Sequence, residues 1–369
     1  MYKRIYFLVI KELLAVWQDK KSRLVLIMPP ILQLFVFAFA ATLDVTNISL
    51  AVLNKDYGKP SYELVERFKG SSYFKEIKFL RSEQEMISVM DNQKSIVAVH
   101  INEDFSKKIL ENKPASIQVI LDGRKSNTAQ IVQGYIASIV EQYNYELATN
   151  YGYVTSRSEL INRSWFNPNL IYMWYTVPSL VAILIMITCL LVTSLSIARE
   201  RELGTFDQLL VSPLTSMEIL IGKAIPGIII GMVEGIAITL VGIFIFRIPF
   251  TGSMLYLIFA MFFFVISIIG VGLFLSSLCK TQQQALLATF FFISNAVILS
   301  GFGSPIENMP VWLQKVTVLN PLRYFLVIVR GIFLKDFPFI DVIKNLIPIV
   351  VVSGINLSVA TWFFGKRLE

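Results

Sequence analysis

Histidine and cysteine are nearly missing from this chain: its 369 residues hold one His and two Cys. A single imidazole excludes the H-E-x-x-H zinc motif and any metal cluster built on histidines. Cys189 and Cys279 both lie inside apolar runs, so neither a disulfide framework nor a C-x-x-C motif is available, and both read as small apolar-face residues. His100 alternates with Val97, Val99 and Ile101, which places it on a strand. The G-x-x-x-x-G-K-[ST] loop that cradles nucleotide phosphates does not occur, and neither does the G-x-S-x-G nucleophile turn. Ser72-Tyr73-Phe74-Lys75 fits S-x-x-K, but without the companion motifs that would make it a catalytic serine. The chain reads as no enzyme, with no catalytic residues, no metal and no cofactor of its own.

Charge is scarce too. Charged residues make up 16% and hydrophobic ones 55%, and mean hydropathy is +0.63. Long uncharged runs at this length predict a polytopic α-helical membrane protein. The formal net charge of +7 is unevenly spread, because residues 44–173 hold 15 Lys/Arg and 15 Asp/Glu. The excess lies in the remainder, where it marks loops at a membrane and not a nucleic-acid surface.

What is present falls into six spans and one soluble domain. Residues 1–23 carry Lys3, Arg4, Lys11, Lys20, Lys21 and Arg23 among apolar residues and Trp17, a basic amphipathic helix suited to the membrane interface. Residues 24–43 form the first span, with Pro29-Pro30 expected to break or kink it. Ala38-Phe39-Ala40 mimics a signal-peptidase site, but the apolar run is too long for a signal core, so an uncleaved anchor is expected. Residues 44–173 alternate strand and helix signals: strands at 48–53, 76–80, 95–101 and 117–121, helices at 62–69, 83–92, 105–110 and 128–149. The remaining spans are 174–197, 224–246, 254–278, 285–302 and 345–364, leaving 365–369 as a tail. Between the last two spans, residues 303–344 are punctuated by Pro305, Pro310 and Pro321 and read as a re-entrant or surface helix pair. Short loops on the amino-terminal side hold 12 Lys/Arg against six opposite. This charge bias predicts both termini in the cytoplasm and the α/β domain outside, between the first and second spans.

The connector 198–223 is built with more care than a link needs. Thr205 with Gln208, and Thr215 with Glu218, each fit a capping box. Phe206, Leu209 and Leu210 share one face of a short helix that Pro213 stops. That face, flanked by Arg199, Glu200, Arg201 and Glu202 and preceded by Gly204, offers a handle to a partner. Lys223 and Glu218 sit at a span end, where snorkelling would satisfy them. Glu234 is the acidic residue at the centre of a span; it either contacts a cationic substrate or pairs at a helix interface. Asn295 and Gln282–Gln284 raise the same question more weakly.

At this point the chain resembles the permease of an ABC-2 type exporter. Arg199–Pro213 resembles that family's cytoplasmic coupling segment. Ser300–Gln314 followed by Asn320–Phe325 resembles its outer segment before the last span, and the plan of helix, span, external domain and five spans also matches. The resemblance covers essentially the whole chain and is strongest from 190 to 335. It implies a dimer with a second copy or a homologous permease, a separate ABC ATPase subunit that holds ATP and Mg, and a periplasmic adaptor. It also implies a bacterial inner-membrane location and efflux of drugs or other amphiphilic or cationic solutes. Two other readings stand beside it. A scaffold or sensor using the external domain leaves the doubly capped connector unexplained, and a membrane-embedded enzyme lacks polar groups at one depth.

Overall fold

The computed structural model describes residues 2–18, 20–40, 48–151, 166–167, 171–206 and 214–366. The chain divides into two compact units, Thr42–Arg163 and the remainder.

Within the first of these, four strands, β1 (Ile48–Asn54), β2 (Phe74–Phe79), β3 (Val97–Ile101) and β4 (Ile117–Leu121), form a mixed sheet in the order β2-β1-β3-β4. β1 pairs in parallel with β2 and β3, and β4 closes antiparallel on β3. The helices are α3 (Lys59–Gly70), α4 (Glu83–Asp91), α5 (Phe105–Leu110) and α6 (Ser126–Tyr151). Alternation along β1 decides which face each residue serves. Leu50 and Val52 join Leu64, Phe68, Phe105 and Val132 on the α3, α5 and α6 side. Ala51 and Leu53 join Met86 of α4 on the other. Covered on both faces, the central strands β1 and β3 are apolar almost throughout. Tyr143 of α6 donates to the Pro60 carbonyl at 2.7 Å. Arg67 and Glu146 tie α3 to α6, and this hydrogen-bonded pair holds the Glu146 carboxyl below its usual range. All eight expected elements are here, within a few residues of their expected bounds.

In the second unit, α1 (Tyr2–Gln18) and α2 (Lys20–Ala40) precede α7 (Tyr172–Glu202), α8 (Ser216–Phe244), α9 (Met254–Leu278) and α10 (Gln282–Ile298). α11 (Val311–Thr317), α12 (Pro321–Leu334) and α13 (Phe339–Lys366) follow. Among the described residues, α7, α8, α9 and α13 are long and apolar enough to cross a bilayer, and α11 with α12 makes a fifth if that pair, bent by 77°, is one span. Six full-length spans were expected. Two of the expected ones fall on shorter pieces. The apolar part of α2 is Met28–Phe39, and the 17 residues of α10 reach only about 25 Å at 1.5 Å per residue. α2 runs through Pro29 and Pro30 without ending, so the helix is not broken there. In apolar surroundings the remaining backbone bonds have no water to compete with them.

α7 and α9 form the buried centre, with Leu180, Val181, Ile185, Phe264 and Ile268 inside. α8 approaches them closely through Gly227, Gly231 and Gly235, spaced four apart on one face. A Cβ on Gly231 would stand 2.3 Å from Cys189 Sγ, so this stripe sets the distance between α8 and α7.

Candidate functional site

α7 ends by a motif that the sequence announces only through Gly204. The Gly204 N–H donates to the Arg201 carbonyl and the Thr205 N–H to the Glu200 carbonyl, at 3.2 and 3.0 Å. Gly204 adopts φ +70°, the left-handed conformation that this double-bonded helix stop requires. The Thr205 hydroxyl also points back to the Glu200 carbonyl at 3.3 Å. Gln208, Leu209, Leu210 and Pro213 lie outside the described residues. At the far end of the connector, the capping box of Thr215 and Glu218 is formed: the Glu218 N–H donates to Thr215 Oγ1, and the Thr215 N–H to the Glu218 carboxylate at 2.9 Å.

Of the charged run before Gly204, Glu200 is buried and Glu202 exposed, and both Arg201 and Glu202 are bonded within the chain. Arg201 donates from Nη1 to the carbonyls of Ser277 and Cys279, at 2.8 and 3.1 Å, and so closes the last turn of α9. The Glu202 carboxylate accepts from the Gln282 N–H at 2.7 Å, capping the start of α10. Phe206 is buried, its ring 4.8 Å below the Arg201 guanidinium. The expectation of an exposed Phe206 therefore fails, because the left-handed turn at Gly204 folds the chain back onto the root of α7. Arg199 is half-buried on the same last turns.

Lys223 also departs from expectation. Its side chain is wholly buried (0% exposed) instead of reaching toward water. Nζ donates to Glu12 Oε1 at 3.1 Å and to Ser196 Oγ at 3.1 Å, and it forms an ion pair with Glu200 Oε2 at 2.8 Å. Lys11 reaches Glu200 Oε1 at 3.0 Å. Two lysines and two carboxylates thus lock α1, α7 and α8 together. Snorkelling is blocked because α1 lies across the end of α8: Leu8 packs where a Cβ on Gly222 would stand, 2.4 Å from Leu8 Cδ2. Lys11 was read among the basic residues of an interfacial amphipathic helix, and Glu12 was not singled out. The signal that could have singled out Glu12 is its place four residues after Leu8, on one helical face.

Glu234 and Asn295 do not meet. Half-buried Glu234 accepts from Thr188 of α7 at 2.9 Å through Oε1, while its Oε2 is buried without a hydrogen-bond partner. Asn295 is exposed and donates to the Phe291 carbonyl of its own helix at 2.8 Å. It interrupts an exposed apolar stripe of Leu287, Phe291 and Ile298.

Residues 20–362, nearly the whole chain, match the family described as "ABC-2 family transporter protein". The chain belongs to the ABC-2 transporter family. Over 368 residues, all of both proteins, this ABC-2 permease is 44% identical to "Probable multidrug ABC transporter permease YbhR" of Escherichia coli K12. It is 32% identical to "Probable multidrug ABC transporter permease YbhS" of the same strain, covering 99% of this chain and 97% of that one. To "Inner membrane transport permease YhhJ", also of that strain, identity is 26%, with 99% and 98% covered. The ABC-2 assignment and the long apolar helices make this a multi-pass membrane permease, a transport subunit of an ABC system.

Proposed function

We propose that this chain is the gate of an exporter in the inner membrane, moved by a separate ABC ATPase subunit through the connector 198–223. The observation that carries this reading is the fastening of both connector ends. One end is stopped at Gly204 and the other starts in the Thr215–Glu218 box, and buried Lys223 binds both roots to α1. A push on the connector is then delivered to α7, α8 and α1 as one body, and through Arg201 and Glu202 to the facing ends of α9 and α10. Cargo that favours one state of the gate would be moved as ATP binding and hydrolysis in the partner shift the equilibrium. Arg199, Glu200, Arg201, Glu202, Gly204, Thr205 and Phe206 shape the root of the lever. Gln208, Leu209, Leu210 and Pro213 complete it and, with Phe206 turned inward, Leu209 and Leu210 carry the contact.

The distribution of Lys and Arg supports a cytoplasmic connector and termini, with the 42–163 unit outside, where it would dock a periplasmic adaptor or cover the exit. The stripe on α10 supports a second permease copy or homologue as partner. An amide facing lipid is costly, whereas across an interface Asn295 finds a partner. Glu234, bonded to α7 with one oxygen to spare, is the candidate contact for a cationic or amphiphilic cargo. The cargo class follows the multidrug names of the relatives.

The test is co-purification with the ATPase subunit. Leu209→Asp and Leu210→Asp are expected to lose the subunit and the stimulation of its ATPase while the permease inserts at normal levels. Association and stimulation equal to wild type would refute the coupling role, as would ATP hydrolysis by the purified chain alone.

A further inference from the structure

The end of α7 away from the connector carries a charged group that the coupling reading does not use. Arg330, one turn before the end of α12, donates from Nε to Ser179 Oγ at 2.8 Å. Ser179 Oγ in turn donates to the Tyr175 carbonyl at 2.6 Å. The guanidinium lies over the Tyr175 ring, with Cζ 3.9 Å from its centroid. Tyr175 is itself held, its ring parallel to Phe302 within 7° and its hydroxyl donating to the Phe302 carbonyl at 3.1 Å. Tyr172 stands beside it, ring centroids 6.1 Å apart. A planar cation is therefore fixed in orientation by one hydroxyl and one aromatic face.

Among the described residues its charge is not matched. Arg330 makes no ion pair among the described residues, and Nη2 is buried without a hydrogen-bond partner. α12 carries no acid, and α7 carries none before Glu200, about 30 Å from Ser179 at 1.5 Å per residue. Glu234 does not serve either. It binds α7 at Thr188, nine residues from Ser179, and nine residues turn a helix by half a revolution, so the two charges stand on opposite sides of α7. A ring face and one hydroxyl replace only part of the hydration that a guanidinium gives up. The fork of N–H donors fits an oxyanion, and the residue as a whole is only half-buried.

We propose that Arg330, oriented by Ser179 and Tyr175, is a recognition site for the phosphate or carboxylate head of an amphiphile at this end of the bundle. The aromatic side chains of Tyr172, Tyr175 and Phe302 offer the apolar wall that such a molecule needs next to its charged head. The chemistry is shared by an anionic phospholipid and by a transported anionic amphiphile. The proposal does not depend on the coupling assignment.

The experiment uses the full chain in phosphatidylcholine nanodiscs, with binding read from tryptophan fluorescence, since Trp174 adjoins Tyr175. Dodecyl phosphate, dodecyltrimethylammonium and inorganic phosphate are titrated against wild type, R330Q, R330K and S179A. Wild type is expected to bind dodecyl phosphate, and R330Q to lose about tenfold or more in affinity, as loss of a charged hydrogen bond implies. Dodecyltrimethylammonium is expected to bind all four alike. If R330Q fails to fold, R330K and S179A carry the test, for both keep the charge and lose its fixed fork; weakened dodecyl phosphate binding in them supports the site. Equal binding of dodecyl phosphate by wild type and the folded variants, no binding by wild type, or inorganic phosphate binding as tightly as dodecyl phosphate would overturn it. Arg330-dependent competition by phosphatidylglycerol in the disc assigns the site to lipid. Lack of competition assigns it to an amphiphile arriving from solution, and each supports an oxyanion site.

Discussion

Lys223 shows how one side chain changes meaning with its surroundings. An ammonium at the start of an apolar helix ordinarily stretches its stem toward water. Here the stem is enclosed, and the charge is matched by Glu12 and Glu200 instead. Removing one partner of a buried ion pair strands the others, at a cost of about 3–5 kcal/mol. K223M is accordingly expected to lower the melting temperature of the purified permease by several degrees. E12Q should cost less, because Glu200 still holds the lysine, and adding E12Q to K223M should recover part of the loss. A K223M protein that melts with wild type would return Lys223 to an ordinary snorkelling role. Arg201 and Glu202 carry a related lesson: both looked like surface charges of a docking segment, and both close helix ends within their own chain.

At the scale of elements, the contact between α1 and α8 depends on a missing side chain. Gly222 leaves room for Leu8, and its neighbour Lys223 reaches the acid one turn further along α1. Gly222→Val would force Leu8 out of a contact that has no slack. Hydrogen exchange in α1 is expected to rise about tenfold or more in that variant, while α9 keeps its protection, and Leu8→Ala in the same chain should restore much of it. Unchanged protection of α1 would mean that the charge network alone holds the helix. The bend between α11 and α12 is also an element-scale fact. Pro310 and Pro321 were readable in advance as breaks, and Pro321 opens α12 behind an Asn320 side chain that caps it at the Leu322 N–H. The 77° angle was not.

For the whole molecule, an unequal burial of the spans matters most. α7 and α9 are enclosed by their own chain, whereas α8 and α13 leave most of their surface open to lipid or a partner. α10 adds the stripe of Leu287, Phe291, Asn295 and Ile298. A cysteine at Phe291 is expected to form an oxidative cross-link to a second permease in membranes, with a cysteine at buried Ala285 as the unreactive control. The native Cys189 and Cys279 are both buried and should not interfere. Failure of the Phe291 position to cross-link, in the presence of the ATPase subunit and of any co-expressed related permease, would remove α10 from the interface.

The class of this protein and the approximate places of most of its elements were legible in local pattern, although two expected spans proved shorter than a full crossing. Hydropathy and period are local properties, so the apolar runs, the alternating strands of the α/β unit and the Thr215–Glu218 cap could be read without a fold. Glu234 and the connector stood out for the same reason, each breaking a local rule. The tertiary structure alone decided which charges belong together. Lys223 with Glu12, Arg201 with the end of α9, and Arg330 with Ser179 are separated by 211, 76 and 151 positions, and no local pattern encodes a partner that far away. Burial decides whether a lysine is solvated or locked, and burial is a property of the packed helices, not of the stretch in which the lysine is written.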